Sequence, residues 1–171
     1  MEPKEKKWKI LESKYIIKRP WLTARCDKVE LADGRVNDEY YVLEYPDWVN
    51  VIAITKDGHF IMERQYRHGM QVFSTELPCG VMEKGETPLQ AAQRELLEET
   101  GYAGGEWTKL MDIGANPGSQ NNYTHCFLAV GVEKVADQSL DATEELTVVM
   151  MNENEVKSLL EQNRMCQALK I

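Results

Sequence analysis

The stretch that decides the fold is residues 76–102, ELPCGVMEKGETPLQAAQRELLEETGY. It predicts a tight loop followed by one helix with both ends marked. Thr87 precedes Pro88, which suits an N-cap followed by proline at the first helical position. Gln90 stands at capping-box spacing from Thr87, so each side chain can satisfy a free backbone N–H. Gly101 is expected to end the helix, because glycine adopts the left-handed conformation at the lowest cost.

Two unlike faces are predicted for this helix. The apolar stripe at helical spacing consists of Leu89, Ala92 and Leu96. On the other face, the carboxylates of Glu95, Glu98 and Glu99 converge, and like charges four residues apart destabilise a helix by roughly 0.2–0.5 kcal/mol per pair. A divalent cation such as magnesium, which takes oxygen ligands, would offset that repulsion. For the cluster taken alone, a solvated acidic face is an equally good interpretation.

Taken as a whole, residues 76–102 favour a bound divalent cation over a solvated acidic face at these carboxylates. Its fixed positions are Gly80, Glu86, Arg94, Glu95, Leu96, Glu98, Glu99 and Gly101. They match the Nudix box, G-x5-E-x7-R-E-U-x-E-E-x-G-U with U a bulky aliphatic residue, at every place except the last. Tyr102 occupies that last place and affects packing behind the helix rather than the carboxylates. The chain therefore resembles a Nudix hydrolase, with Arg94 placed to reach back to Glu86 and brace the loop.

Length, charge and cysteine content narrow the class of protein. The 171 residues suit one domain with a real core and at most a small appendage. A net charge of −8 and a pI near 5.0 argue against nucleic acid or an anionic membrane as partner. Neither a transmembrane run nor a secretory signal is found, so we expect a cytoplasmic protein. The scattered cysteines indicate reduced thiols: Cys26, Cys79, Cys126 and Cys166.

The remaining pattern predicts strands before and after the central helix. The predicted strands cover residues 15–17, 22–29, 40–43, 49–55, 59–65, 123–130 and 146–151. Asp33-Gly34 is expected to form a hairpin turn, and Gly104-Gly105 a loop. A last helix is predicted to start near Asn152, with Glu155 at the third helical position of a capping box. The aromatic side chains of the first strands are expected in a core or interface: Trp21, Tyr40 and Tyr41.

These elements predict an α+β fold. The resemblance implies a Nudix-type α/β/α sandwich with a mixed sheet, formed by residues 46–171. It also implies that residues 1–45 are an N-terminal antiparallel β subdomain, like that of the ADP-ribose pyrophosphatase group. In that group the subdomain packs across a homodimer and walls the substrate site, so we expect a homodimer here.

The resemblance implies an enzyme that splits the diphosphate of ADP-ribose or a similar nucleoside diphosphate sugar, giving a nucleoside monophosphate and a sugar phosphate. Metal ions can stabilise the charge on the diphosphate and lower the pKa of a water. We expect Mg²⁺, with Mn²⁺ as a substitute; the number of metals and the physiological pathway stay open. The alternatives are another nucleoside diphosphate-X, such as GDP-mannose, and a Nudix-fold sensor that binds without cutting. Loss of a box carboxylate would indicate the sensor, and none is lost.

The resemblance also assigns roles to individual residues. Glu95 and Glu99 are expected as direct metal ligands, with Glu98 close to the metals. The backbone carbonyl of Cys79 is expected to contact metal as well, and Glu86 and Arg94 to support the loop. The general base is expected on a loop beyond the box, where Glu144 and Glu145 stand side by side and remain equal candidates.

Substrate contacts are expected from residues outside the box. Arg67 closes a Q-Y-R triplet at a strand end, where its planar fork could bind a diphosphate, although on the residues alone a surface arginine is the better interpretation. The resemblance implies the substrate role, because the ADP-ribose pyrophosphatase group tends to carry Q-[YF]-R at this place with the arginine on the substrate. Pro117, sixteen residues after Gly101, is a marker of the ADP-ribose pyrophosphatase group. Trp21 and Tyr40 are of the type that stacks on a nucleotide base.

Overall fold

The structure, a computed structural model, describes residues 6–165 of the chain. Two compact units are present. Among the described residues, the first consists of residues 6–46 together with Asn116–Asn122, and the second of Asp47–Ala115 and residues 123–165. Within residues 6–165, neither helix has the length and apolar character that crossing a bilayer would require. Cys166 lies outside the described residues, while Cys26, Cys79 and Cys126 are free thiols, as predicted.

The first unit is a three-stranded antiparallel sheet in the order β1-β2-β3. Its strands are β1 (Lys9–Arg19), β2 (Leu22–Glu30) and β3 (Val36–Glu44). Gly34 has a positive φ of 91° in the turn between β2 and β3, as the Asp33-Gly34 pair predicts. The segment 116–122 joins this unit because the Leu43 N–H donates to the Ser119 carbonyl at 2.7 Å.

The aromatic side chains of the first unit are more exposed than predicted. Trp21 is 82% exposed and Tyr41 53% exposed, which excludes the core for these two side chains, whereas the interface stays a prediction. Trp21 lies in the turn between β1 and β2 rather than in a strand, and Tyr41 of β3 lies on the open surface of a three-stranded sheet. Tyr40 is half-buried; its hydroxyl donates to the Gly118 carbonyl, and its ring meets Trp8 edge-on at 5.8 Å.

The second unit is built on a seven-stranded mixed sheet. Its elements are β4 (Trp48–Thr55), β5 (Phe60–Arg67), β6 (Val72–Glu76), β7 (Cys79–Val81), α1 (Pro88–Thr100), β8 (Tyr102–Ile113), β9 (Thr124–Lys134), β10 (Leu146–Met151) and α2 (Glu153–Glu161). The strand order is β10-β5-β4-β9-β8, with β6 paired to β5 and β7 paired to β4. Strands β4 and β9 are parallel, and the other neighbours are antiparallel.

Both faces of this sheet are covered, which confirms the α/β/α sandwich. Side chains alternate along a strand, so Val51 and Ile52 of β4 face opposite ways. On one side, Val51 packs in a cluster with Leu96 of α1 and Phe127 of β9. On the other side, Ile52 packs against a cluster that contains Leu159 of α2.

Three local features differ from the sequence prediction. Gly104 and Gly105 lie inside β8 rather than in a loop; both have positive φ, and β9 continues to pair on either side of them. The short strands β6 and β7 were not predicted. Leu89 is 38% exposed, because the buried side of α1 is rotated toward Ala91 and Glu99.

Candidate active site

Helix α1 is fixed at both ends by the residues that the sequence marks. The Thr87 side chain accepts from the Gln90 N–H, and the Gln90 side chain accepts from the Thr87 N–H, which completes the capping box. Gly101 is left-handed at φ 76°, and its N–H donates to the Leu97 carbonyl at 2.8 Å. A Cβ on Gly101 would lie 2.1 Å from the Ala136 carbonyl oxygen, so only glycine fits there.

Arg94 braces the loop before the helix, as predicted. Its Nε and Nη2 donate to the two oxygens of Glu86 at 2.8 and 3.0 Å, and Nη2 also donates to the Val81 carbonyl. Its Nη1 donates to Glu95 at 2.9 Å and to Glu98 at 3.0 Å. The bidentate pair holds the pKa of Glu86 below its ordinary value and raises that of Arg94. Loop and helix are thereby tied into one rigid piece.

The carboxylates of Glu95 and Glu99 both lie against the backbone of the loop. Glu99 is 5% exposed, and its Oε2 accepts from the Cys79 N–H at 2.9 Å. Glu95 lies so close to Gly80 that a Cβ there would be 2.0 Å from its carboxyl carbon. Burial raises the pKa of Glu95, although the hydrogen bond from Arg94 opposes the shift. Buried negative charge of this kind is stabilised by a cation.

The donor set fits a hard divalent cation after a small rearrangement. Within residues 6–165, no three His, Cys, Asp or Glu side chains are already gathered around one point. The reason is that Glu95 and Glu98 form ion pairs with Arg94, and Glu99 accepts a hydrogen bond from the Cys79 N–H. All three carboxylates offer oxygen donors, and the missing side chain of Gly80 leaves the space that Glu95 occupies. These residues would hold the cation.

Arg67 stands at the end of β5 and lines the same cleft as Cys79 and Glu99. Its Nε donates to both oxygens of Glu76, at 3.0 and 3.2 Å, and its Nη2 donates to Oε2 at 2.5 Å. Burial opposes the charge of Arg67, but the hydrogen bonds that Arg67 donates to Glu76 and the negative charge of Glu76 together outweigh it and raise the pKa of the guanidinium. The cleft therefore contains a permanent positive charge close to the box carboxylates.

The cleft has a volume of about 570 Å³, which suits a drug-sized or nucleotide-sized ligand. It is lined by Trp48, Val49, Asn50, Gln65, Tyr66, Arg67, Cys79, Gly80, Val81, Glu99, Thr124, Thr143, Glu144, Glu145 and Leu146. Glu144 and Glu145 come from the loop before β10, and the charge of Glu144 contributes to the raised pKa of Glu95. The Glu144 side chain also accepts from the Asp141 N–H at 3.0 Å, which fixes its loop.

The structure gathers only part of the predicted site into this cleft. Trp21, Tyr40 and Pro117 belong to the first unit, where Pro117 is exposed. Glu76 was missed by sequence reasoning, because a single acidic residue at the end of a short strand carries no motif. The pairing of β5 with β6 sets Arg67 opposite Val72 and Glu76 opposite Glu63, so the two long side chains meet by reaching toward each other along the hairpin.

Comparison with known sequences agrees with this fold and site. A sequence model described as the NUDIX domain matches residues 44–168, so the chain belongs to the Nudix family of hydrolases. The chain also matches a more specific model: residues 8–43 match one described as the nucleoside diphosphate sugar hydrolase N-terminal domain.

Individual relatives match over most of the chain. An ADP-ribose pyrophosphatase of Bacillus subtilis (strain 168) is 31% identical over 166 residues, covering 94% of this chain and 89% of its own length. A methanol dehydrogenase activator of Bacillus methanolicus is 30% identical over 157 residues, covering 91% and 84%. A crystal structure described as an ADP compounds hydrolase superposes with a TM-score of 0.80 at 24% identity, covering 96% of this chain and 91% of that one. This structural superposition shows that the two chains share a fold.

Proposed function

We propose that the chain hydrolyses the diphosphate of ADP-ribose or a similar nucleoside diphosphate sugar to a nucleoside monophosphate and a sugar phosphate. One observation carries the proposal: Arg67 and the carboxylate of Glu99 line one cleft of nucleotide size. A cation site beside a fixed guanidinium suits a diphosphate, whose charge must be neutralised during attack by water. The ADP-ribose pyrophosphatase of B. subtilis, which matches nearly the whole chain, supports the substrate class.

Glu95 and Glu99 are the proposed direct ligands of Mg²⁺, with Mn²⁺ as a substitute. Glu98 lies close to the metal, and the Cys79 carbonyl is a further ligand. When bound, the metal supplies charge stabilisation and activates water. Glu86 and Arg94 hold the loop and the helix in register, since their bidentate pair spans both. Gly101 keeps a close approach to the Ala136 carbonyl that no side chain fits, and the absence of a side chain on Gly80 leaves the space that the Glu95 carboxylate occupies.

Glu144 is the proposed general base. Both Glu144 and Glu145 line the cleft, but only the charge of Glu144 is among the main influences on Glu95. The test is a matched pair of variants, Glu144→Gln and Glu145→Gln. We expect Glu144→Gln to lose about a hundredfold or more in kcat, the usual contribution of a general base, and Glu145→Gln to lose much less. The reverse order would transfer the role to Glu145.

The N-terminal unit is proposed to act in a cytoplasmic homodimer. Its apolar residues on β1 are exposed in the single chain, which supports a partner surface. Trp21 and Tyr40 are proposed to stack on the nucleotide base, and Pro117 to mark the substrate loop. Trp21→Ala should therefore raise KM about tenfold to a hundredfold, given the usual strength of base stacking. A normal KM in that variant would remove Trp21 from the site.

A hydrolysis panel tests the proposed function. The purified protein is incubated with Mg²⁺ and, in turn, ADP-ribose, GDP-mannose, UDP-glucose and dinucleoside polyphosphates. We expect ADP-ribose to give the highest kcat/KM and chelation of the metal to stop turnover. A clear preference for GDP-mannose would identify a different nucleoside diphosphate sugar as the substrate, within the same substrate class. Tight binding of ADP-ribose without products would indicate a sensor and contradict the proposal.

A further inference from the structure

The carboxylate of Glu76 fixes the orientation of the Arg67 guanidinium. Glu76 ends β6 and is fully buried. It receives hydrogen bonds from Nε and from Nη2 of Arg67, so the planar fork is held at two points. Hydrogen bonds at these two nitrogens restrain the rotation of the guanidinium about its stem. The third nitrogen, Nη1, has no hydrogen-bond partner within residues 6–165 and remains available to the cleft that Arg67 lines.

Without that restraint, Arg67 would have another partner at hand. The negative charge of Glu99 acts on Arg67 in addition to that of Glu76. The arginine side chain is long enough to turn toward Glu99. A charge-assisted pair between the two would occupy both the guanidinium that binds the substrate and a carboxylate that binds the metal.

We propose that Glu76 is a positioning residue: it holds Arg67 with Nη1 directed to the anionic group of the substrate and keeps it away from Glu99. This inference rests on the proposed function only in taking the anionic group to be a diphosphate. Glu76 itself lies behind Arg67 and touches neither substrate nor metal.

Steady-state kinetics on ADP-ribose with saturating Mg²⁺ test the proposal. The variants are Glu76→Gln, Glu76→Asp, Arg67→Ala and the double variant Arg67→Ala/Glu76→Gln, with Arg64→Ala and Glu133→Gln as matched surface controls. We expect Glu76→Gln to raise KM about tenfold to a hundredfold, the usual worth of a hydrogen bond to a charged group, with a smaller change in kcat. Glu76→Asp keeps the charge and should recover part of the loss. The double variant should have the KM of Arg67→Ala, because the two residues act as one unit.

Two further measurements need no turnover. In ¹⁵N NMR spectra of arginine side chains, the Arg67 Nε–H should be protected from solvent exchange in the unaltered protein and lose that protection in Glu76→Gln. Titration with Mn²⁺ alone, followed by electron paramagnetic resonance, should show weaker binding in Glu76→Gln and recovery in the double variant, where Arg67 can no longer pair with Glu99.

The outcomes separate the two proposals. A Glu76→Gln variant that keeps its Arg67 Nε–H protection and its Mn²⁺ affinity overturns the positioning role, whatever its stability. Additive KM effects in the double variant overturn it as well. If the unaltered protein cleaves no nucleoside diphosphate sugar, the proposed function fails, while the NMR and Mn²⁺ measurements still decide the role of Glu76.

Discussion

At Gly80 the loop backbone and the Glu95 carboxylate approach so closely that no side chain fits between them. A Cβ at this position would meet three atoms of that carboxylate at 2.0 to 2.3 Å. The obstructing atoms are the far end of a flexible side chain, not backbone. The glycine is therefore required by the position of one carboxylate rather than by the fold of the loop.

Gly80→Ala should accordingly separate stability from activity. The methyl group must displace the Glu95 carboxylate, so we expect turnover with Mg²⁺ to fall about tenfold or more, as for a disturbed metal ligand. The unfolding free energy should change by less than about 1 kcal/mol, because the obstructing carboxylate is the end of a flexible side chain and can move aside. Gly69→Ala is the matched control, because a Cβ on Gly69 meets nothing within 4 Å. Full activity in Gly80→Ala would show that Glu95 has no fixed place in the site.

Glu99→Gln tests the metal ligand itself. The amide oxygen can still accept from the Cys79 N–H, so the fold should persist. The substitution also removes one negative charge from an acidic helix face, so the melting temperature without metal should hold or rise slightly. Turnover with saturating Mg²⁺ should fall by more than about a hundredfold. Glu161→Gln, exposed on α2, is the control, and an active Glu99→Gln enzyme would reject the ligand assignment.

At the scale of elements, one histidine links the start of the second unit to two neighbouring strands. His125 of β9 contacts Asp112 of β8 through Nδ1 at 2.5 Å and Asp47 through Nε2 at 3.2 Å. Lys109 also donates to Asp112 at 2.8 Å. These contacts give His125 a structural role between β8, β9 and Asp47.

Asp112→Asn should reveal this link in the pH dependence of stability. The hydrogen bond from Lys109, and next that from His125, lower the pKa of Asp112 below its ordinary value of 3.8. The folded state therefore binds this proton less readily, and the stabilisation is present above pH 3.8 and lost as pH falls through the lower folded value. We expect Asp112→Asn to lower the melting temperature by about 1–4 °C at pH 7 and to show a shallower decline below pH 4.

Thermal melts between pH 7 and pH 2.5 make the comparison. Asp137→Asn serves as the control, since its side chain is fully exposed. Parallel acid profiles for Asp112→Asn and the unaltered protein would contradict the assignment.

How far the sequence predicts the elements depends on where their determinants lie. Both ends of helix α1 were predicted at the correct residue, because the capping residues Thr87 and Gly101 directly flank the helix in the sequence. Strands β6 and β7 were missed because each is short and exists through pairing with β5 or β4. The same holds for the site: the box supplies Glu95 and Glu99, whereas the Arg67–Glu76 pair depends on a hairpin whose register no motif records.

At the scale of the whole molecule, the first unit leaves an apolar surface open. All eleven residues of β1 are exposed, and Ile10, Ile16 and Trp8 are each at least half exposed. A three-stranded sheet gains stability by packing its apolar face on another surface. This exposure motivates the proposed homodimer.

Ile16→Glu should convert that homodimer to a monomer. Ile16 is 58% exposed in the single chain, so a charge there should leave the chain folded while it disrupts an apolar interface. Light scattering should give twice the 19.6 kDa chain mass for the unaltered protein and a single chain mass for the variant. Lys157→Glu on α2 is the control. An unaltered protein that is monomeric and fully active would refute the role of the first unit in a dimer.

The most direct test of the central claim is ³¹P NMR of ADP-ribose during incubation with the protein. With Mg²⁺ present, the account predicts that the two diphosphate signals disappear and that signals of AMP and ribose 5-phosphate appear in equal amounts. The same sample with a chelator, and a sample of Glu99→Gln, should keep the diphosphate signals. Unchanged diphosphate signals with active-site metal saturated, or phosphate products that do not need Glu99, would contradict the account.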